Sequence, residues 1–492
     1  MSAASSEDGR WLDNSSPAPP GGLVCKDFFP KPDPDLSSCC STIHQSFSET
    51  VQQANEWLSR YEAAEVVNCE ALPFSSSNTQ THVADGWPST THFRGLRVWL
   101  RVPEDGGDVG RSLLSYRDYS PHLDRKNLFS RDYEDVTVLV ERLNDYLASR
   151  TSPVRIVSVQ TVDTPMSGLL EMNVDTDMSR LTFNQHGFTK YCRTLRVFFV
   201  TYYHRKNIKA FHSRPKIGLK DFLAKTSKLD GPPYGGETLS DVMQRAVDWC
   251  HTTPGVTLLN LQVLPLKVGR PSVATTWLLE SPGHLVNKFT SFVRVMYTEP
   301  GDYSDGDRSE DLVAPLSPSK ASTVVADKEG EEGEDVTGSK ISLPSAEEGG
   351  LEEEEPPKED ASDLPGVINS EIETVETKTP MVMGLRFKTF VPRLASSAVG
   401  MCGHGQWEDV DQTINRLNSW VYTSQGKLLT IHTHLVYSRG RRNEVDVDII
   451  GWARHMGGAE QVGVFHLVME GGRCSTAIPP AVPASSSSCA IL

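Results

Sequence analysis

Four stretches of the chain carry apolar residues at one helical spacing. Setting Asn55, Asn144, Val247 and Asn418 in register places Phe47, Val136, Leu239 and Val410 eight residues earlier, and Val51, Val140, Met243 and Ile414 four residues earlier. Ala54, Leu143, Ala246 and Leu417 stand one residue before the reference position. Trp57, Tyr146, Trp249 and Trp420 stand two after it, followed at once by Leu58, Leu147, Cys250 and Val421. These offsets trace one stripe of a 3.6-residue helix. The pattern predicts four amphipathic helices, each ending in an aromatic and each with one face to bury.

Alternating segments predict strands on both sides of each helix. After the helices come 67–70, 157–160, 259–262 and, more loosely, 431–434. Before them come 24–29, 96–100, 195–199 and 385–387, read as the first strands of units one to four. Further strands at 291–296 and 462–467 close the third and fourth units, and Gly463 marks an expected bulge in the latter. A right-handed crossover makes the two strands that flank a helix parallel and sets the extra strand antiparallel to them.

The reference positions lie 89, 103 and 171 residues apart, and an 80-residue acidic insert accounts for all but 91 of the last interval. The fold class is therefore α+β: four tandem related β-α-β(β) units, each a small mixed sheet packed by one amphipathic helix, with a disordered acidic linker before the last. Unit boundaries fall at 23–93, 94–190, 191–300 and 381–470. A disordered tail occupies 1–22, the linker 301–380, and a flexible tail 471–492. The aromatics of the repeat are read as core, not as a cofactor box.

Composition changes this picture in one place. The net charge of −16 is concentrated in 301–380, where 23 acidic residues face 6 basic ones, so the remainder is near neutral. With few aromatics and with Glu352 to Glu355 in a row, that stretch cannot bury enough surface to order itself. No apolar run approaches membrane-spanning length, and the first residues lack the greasy centre of a signal peptide. Nine scattered cysteines without metal-finger spacing fit reduced thiols in a cytosolic chain.

The counterweight is basic. Ten Lys and Arg against the single acid Asp221 lie between Arg193 and Lys228, and Arg205, Lys206, Lys209, Arg214 and Lys216 are the candidate anion-binding residues. The chain closes on Cys489-Ala490-Ile491-Leu492, a C-a-a-X pattern that predicts geranylgeranylation of Cys489 by a prenyltransferase. A single lipid needs a second signal such as a polybasic patch. The basic segment could supply it, Cys474 is a candidate for palmitoylation, and phosphorylation at Ser317 or Thr379 would help the acidic linker compete for the basic segment.

Chemistry-bearing residues are sparse. His432 and His434 alternate on a strand and, with Cys402 or His404, could hold zinc, but they match polar positions of the other units and are read as solvated. Cys250 occupies an apolar helix position and is read as packing, and Cys402 sits among glycines. No phosphate-cradling loop, nucleophile elbow, kinase set or HExxH is present. The expectation is a cytosolic, prenyl-anchored scaffold without a cofactor that binds protein partners or anionic membrane through polar strand faces and the basic loop. The alternative is an enzyme with a dispersed site between units around Cys402, His404, His432 and His434. Nucleic acid is disfavoured because Phe211 and Phe222 are the only Phe, Tyr or Trp residues in the basic loop after Tyr203.

Overall fold

Each of the four helices begins on a residue able to cap it. Ser46, Thr238 and Asp409 accept from the backbone N–H three residues on, and Glu49, Asp241 and Gln412 return the bond, so three of the four starts are complete capping boxes. The helices are α1 (Phe47–Leu58), α2 (Val136–Ser149), α3 (Leu239–Thr252) and α4 (Val410–Ser424). In this computed structural model the described residues are 22–32, 44–61, 64–75, 83–84, 92–102, 111–124, 132–150, 154–167, 173–181, 190–203, 215–225, 237–267, 272–279, 287–299, 384–396, 406–439, 444–445, 451–454 and 461–472.

Three main strands accompany each helix. The first unit has β1 (Leu23–Phe28), β2 (Glu65–Ser75) and β3 (His92–Arg101), and the second has β4 (Arg111–Tyr119), β5 (Arg155–Ser167) and β6 (Lys190–Tyr203). The third has β7 (Lys216–Leu223), β8 (Thr257–Lys267) and β9 (Asn287–Glu299), and the fourth has β10 (Leu385–Phe390), β11 (Lys427–Arg439) and β12 (Gln461–Glu470). In every unit the third strand lies between the other two and is antiparallel to both. The strands flanking each helix thus run parallel without touching, as a split β-α-β unit.

The pairing corrects two strand assignments. Residues 96–100 and 195–199, expected to open the second and third units, lie in β3 and β6, the central strands that close the first and second. Central strands are buried on both faces and give the strongest apolar signal. The true first strands β4 and β7 are charged edge strands that alternation conceals. Gly463 pairs with Leu435 in regular register; the bulge is on β11 between Leu428 and Thr430. The same extra residue recurs in β2 between Val66 and Asn68, in β5 between Ile156 and Ser158, and in β8 between Leu258 and Asn260. The 1–22 tail before Gly22, the 301–380 insert and the tail beyond Gly472 lie outside the described residues.

Packing joins the units in a cycle. The α1 stripe of Phe47, Val51, Ala54 and Leu58 buries against its own Val66, Leu96 and Val98 and also against Leu114, Phe198 and Val200 of the second unit. In the same way α2 reaches Ile217 and Met296 of the third unit, α3 reaches Leu385 and Val468 of the fourth, and α4 reaches Leu23 and Trp99 of the first. Arms run the other way. Val83–Ala84 pairs with β12, Trp277–Leu279 with β6 and Gly451–Arg454 with β9, while Arg180 bridges Phe93 of β3.

The reference asparagines clasp these joints. The Asn55 amide donates to Leu114 O at 2.8 Å and accepts from Leu114 N–H at 2.7 Å. Asn144 makes the same pair with Ile217 at 2.9 and 2.7 Å, and Asn418 with Leu23 at 2.8 and 2.9 Å. An amide offers one donor and one acceptor, as a peptide unit does, and so completes the open edge of a first strand. Val247 holds this place in the third unit and packs in the cluster that contains Leu385 and Phe387. A second repeated tie anchors each helix start. Arg142, Arg245 and Arg416 bond Glu134, Glu237 and Glu408, while in the first unit Gln53 bonds Gln45.

If the clasps carry the joints, Asn144→Val, which installs the third unit's residue, leaves the Ile217 N–H and C=O without side-chain partners. Urea denaturation should show a loss of about 1–3 kcal/mol. An unchanged unfolding free energy would show that apolar packing alone holds the joint.

Candidate functional site at the inner strands

The second strands β2, β5, β8 and β11 contact one another in cyclic order. Their polar positions decide whether this centre is a site or a joint. Pairing with the third strands sets Glu70 opposite Arg97, Gln160 opposite Arg196, Gln262 opposite Arg294 and His432 opposite His466. The fourth unit therefore matches the others through Thr430 and His432, two residues earlier than the alternation indicates.

These side chains are not solvated. Asn68, Glu70, Ser158, Gln160, Asn260, Gln262, Thr430 and His432 are all buried, which corrects the expectation of polar strand faces open to partners. All but Thr430, whose buried hydroxyl has no partner among the described residues, bond the backbone of the neighbouring unit instead. Asn260 donates to Val159 O and accepts from Val159 N–H, both at 2.9 Å, and Gln262 accepts from Thr161 N–H at 2.7 Å. Gln160 accepts from Ala71 N–H at 2.8 Å and donates to Cys69 O at 3.0 Å, and Ser158 also donates to Cys69 O. Asn68 donates to Ile431 O.

The joint between the fourth and first units differs in carrying charge. Glu70 accepts from Thr433 N–H at 2.6 Å, from Thr433 Oγ1 at 2.8 Å, from Trp99 Nε1 at 3.0 Å and from His432 Nδ1 at 3.1 Å. Val263 N–H donates to His432 Nε2 at 3.2 Å, so the imidazole carries its proton on Nδ1. Burial alone would favour a neutral Glu70. The bond from His432, the Thr433 N–H and the nearby Arg97 outweigh it and hold the carboxyl below its ordinary range. The pair has the composition of a catalytic dyad, yet both ring nitrogens of His432 are occupied, so it cannot take a proton from a substrate.

Behind it lies a second departure from the repeat. Arg97, Arg196 and Arg294 form two-pronged pairs with Asp27, Asp118 and Asp221 at 2.6–2.8 Å. In the fourth unit both partners change: Thr389 Oγ1 meets His466 Nδ1 at 2.9 Å. His466 Nε2 lies 3.4 Å from Nδ1 of the half-buried His434. Among the described residues no three His, Cys, Asp or Glu side chains are grouped to hold a metal ion.

Other predicted residues fall as follows. Cys250 is buried on α3, and burial pushes its thiol up to about 12, in keeping with packing. Lys216 is exposed at the start of β7. Arg193 and Arg196, counted in the basic run, are turned inward on Asp163 and Asp118. Arg205, Lys206, Lys209, Arg214, Phe211, Cys402, His404, Cys474, Cys489, Ser317 and Thr379 lie outside the described residues. The Asp–Arg pairs escaped the sequence reading, although a signal existed: Lys26-Asp27-Phe28, Arg117-Asp118-Tyr119, Lys220-Asp221-Phe222 and Lys388-Thr389-Phe390 repeat one tripeptide on the first strands.

Burial, reinforced by the neighbouring histidines, lowers the pKa of His434 to about 3 and that of His466 well below the ordinary 6.5. In the unfolded chain both take up a proton below about 6.5, so the unfolded state binds more protons and stability falls as pH drops from there toward about 3. Glu70, depressed from 4.5, withdraws its contribution only at lower pH. Replacing His434 by leucine, which Leu72 and Leu264 hold in sister units, should make the decline between about pH 6.5 and 4.5 shallower in urea titrations. An unaltered slope would remove His434 from this role. Searches against protein-family models, curated proteins and solved structures find no match to this chain, so its own geometry is what speaks to function.

Proposed function

We propose that the chain is a non-catalytic binding scaffold that meets anionic membrane and protein partners through its outer surface. The observation that carries this reading is the use made of the inner polar side chains. From Asn68 to His432 all but Thr430 are engaged in bonding neighbouring units, which ties the units together and leaves no free general base among these described side chains.

Partners are then met elsewhere. Lys216, Lys220 and Lys225 are exposed on β7 and just beyond it, with the Lys220 ammonium 4.9 Å above the Trp249 ring. They continue the basic sequence Arg205 to Arg214. No described helix is long and apolar enough to cross a membrane. Attachment through a prenyl group on Cys489 stands on the C-a-a-X motif. One such chain binds marginally, and each basic residue that reaches an anionic leaflet adds about 1 kcal/mol.

Flotation with vesicles tests the reading. The full chain, geranylgeranylated in vitro, should float with phosphatidylserine-containing vesicles at low salt. It should be mostly lost when Arg205, Lys206, Lys209, Arg214 and Lys216 are changed to Glu. Equal flotation with neutral vesicles, or no effect of the five reversals, would defeat the electrostatic half. Failure of the transferase to modify Cys489, read by mass spectrometry, would defeat the lipid half.

A further inference from the structure

The second unit departs from its sisters at one surface, between β4 and the end of α2. On each first strand an aromatic follows the Asp or Thr of the buried pair: Phe28, Phe222 and Phe390 in three units, each edge-on or tilted against its helix tryptophan at 5.5–5.8 Å. The second unit has Tyr119 there. Only 4 % of it is exposed, and its hydroxyl meets no hydrogen-bond partner. A buried hydroxyl left in this state is costly, and a phenylalanine would have served the packing.

The second departure is Arg150. It stands at the C-cap of α2, where the sister helices have Ser59, Thr253 and Gln425. Its Nη1 donates to the Tyr146 hydroxyl and its guanidinium lies over the Tyr146 and Phe199 rings, but its buried Nε finds no acceptor. Exposed Arg117 lies over the same Tyr146 ring, 4.2 Å from its centroid, and 5.7 Å from that of Tyr119. The two guanidinium groups are therefore within about 10 Å of each other. Neither has a carboxylate partner among the described residues. Arg142 also faces the Tyr119 ring, but Glu134 neutralises it.

Aromatic stacking thus fixes two unpaired cations beside two buried donors without acceptors. Burial holds the Tyr119 phenol protonated at every physiological pH, its pKa raised to about 12, so it can only complete the set as a donor. Two guanidinium groups that share the Tyr146 ring, with the Tyr119 hydroxyl on the same strand as Arg117, suit an oxyanion with three or more acceptor oxygens better than a two-oxygen carboxylate.

We propose that Arg117, Arg150 and Tyr119 form a binding site for a phosphate group. The site does not use Arg205 to Lys216 and stands apart from the membrane reading above.

Thermal melts and calorimetric titration of the full chain with inorganic phosphate, against sodium chloride at equal ionic strength, test the site. Phosphate should stabilise the wild type. Tyr119→Phe, which restores the sister residue and keeps the packing, should weaken binding about tenfold. The double variant Arg117→Gln with Arg150→Gln should abolish it, and Lys427→Gln, at an exposed lysine of the fourth unit, should leave it unchanged. Vesicles doped with phosphatidic acid identify the source: Arg150-dependent flotation marks a lipid headgroup, and competition by phosphate without flotation marks a soluble ligand. Absence of phosphate stabilisation, or equal stabilisation in all variants, would show that water alone meets these donors or that phosphate acts elsewhere, and would overturn the proposal.

Discussion

A side-chain amide laid along a neighbouring strand so that it both gives and receives a backbone hydrogen bond is the interaction on which this molecule depends. Three-stranded sheets have edges, and exposed edges invite unwanted pairing. Here Asn55, Asn144 and Asn418 cover the first strand of the next unit, while Gln160, Asn260 and Gln262 cover the second strand of the preceding one. Open repeat arrays need special end units. A cycle of four needs none, because α4 and Asn418 return the last unit to β1. Each helix packs against strands of its own unit and of the next, so a single unit would expose part of the surface that its helix buries.

The variations among the units support this view of the polar pairs. Where the aspartate of the buried pair becomes Thr389, the arginine becomes His466; where the glutamate at a helix start becomes Gln45, its arginine becomes Gln53. Removing one partner of a buried ion pair costs about 3–5 kcal/mol because the other charge is stranded, whereas replacing both together avoids that penalty. Such double changes are what stability demands of structural pairs. Tyr119 and Arg150 differ, since the Tyr119 hydroxyl and the Arg150 Nε are buried without a partner among the described residues.

The helices were legible in the sequence because a 3.6-residue stripe is long and has no rival reading; Phe47, Val51, Ala54 and Leu58 do face the core. The strand order was not, since β3 and β6 signal more strongly than the edge strands that open the next units. The tripeptide around Asp27, Asp118 and Asp221 would have corrected it. Period-two alternation also cannot distinguish a polar face meeting water from one meeting another backbone, so Asn68, Gln160 and Gln262 carry the same signal as surface residues. The bulge before Thr430 adds one residue to the strand and hid the match between His432 and Glu70. Of the proposed phosphate site nothing could be read in advance, because its argument rests on which donors lack partners.

The joint between the third and fourth units stands alone in carrying Val247 where the others carry an asparagine, and it is also where the acidic insert separates the units in sequence. Native-state hydrogen exchange at the four equivalent amides, Leu23, Leu114, Ile217 and Leu385, tests the clasped cycle most directly. The account predicts that Leu23, Leu114 and Ile217 exchange only with global unfolding and that Leu385 exchanges faster. Leu385 protected as well as the other three, or Leu23 exchanging freely, would contradict it.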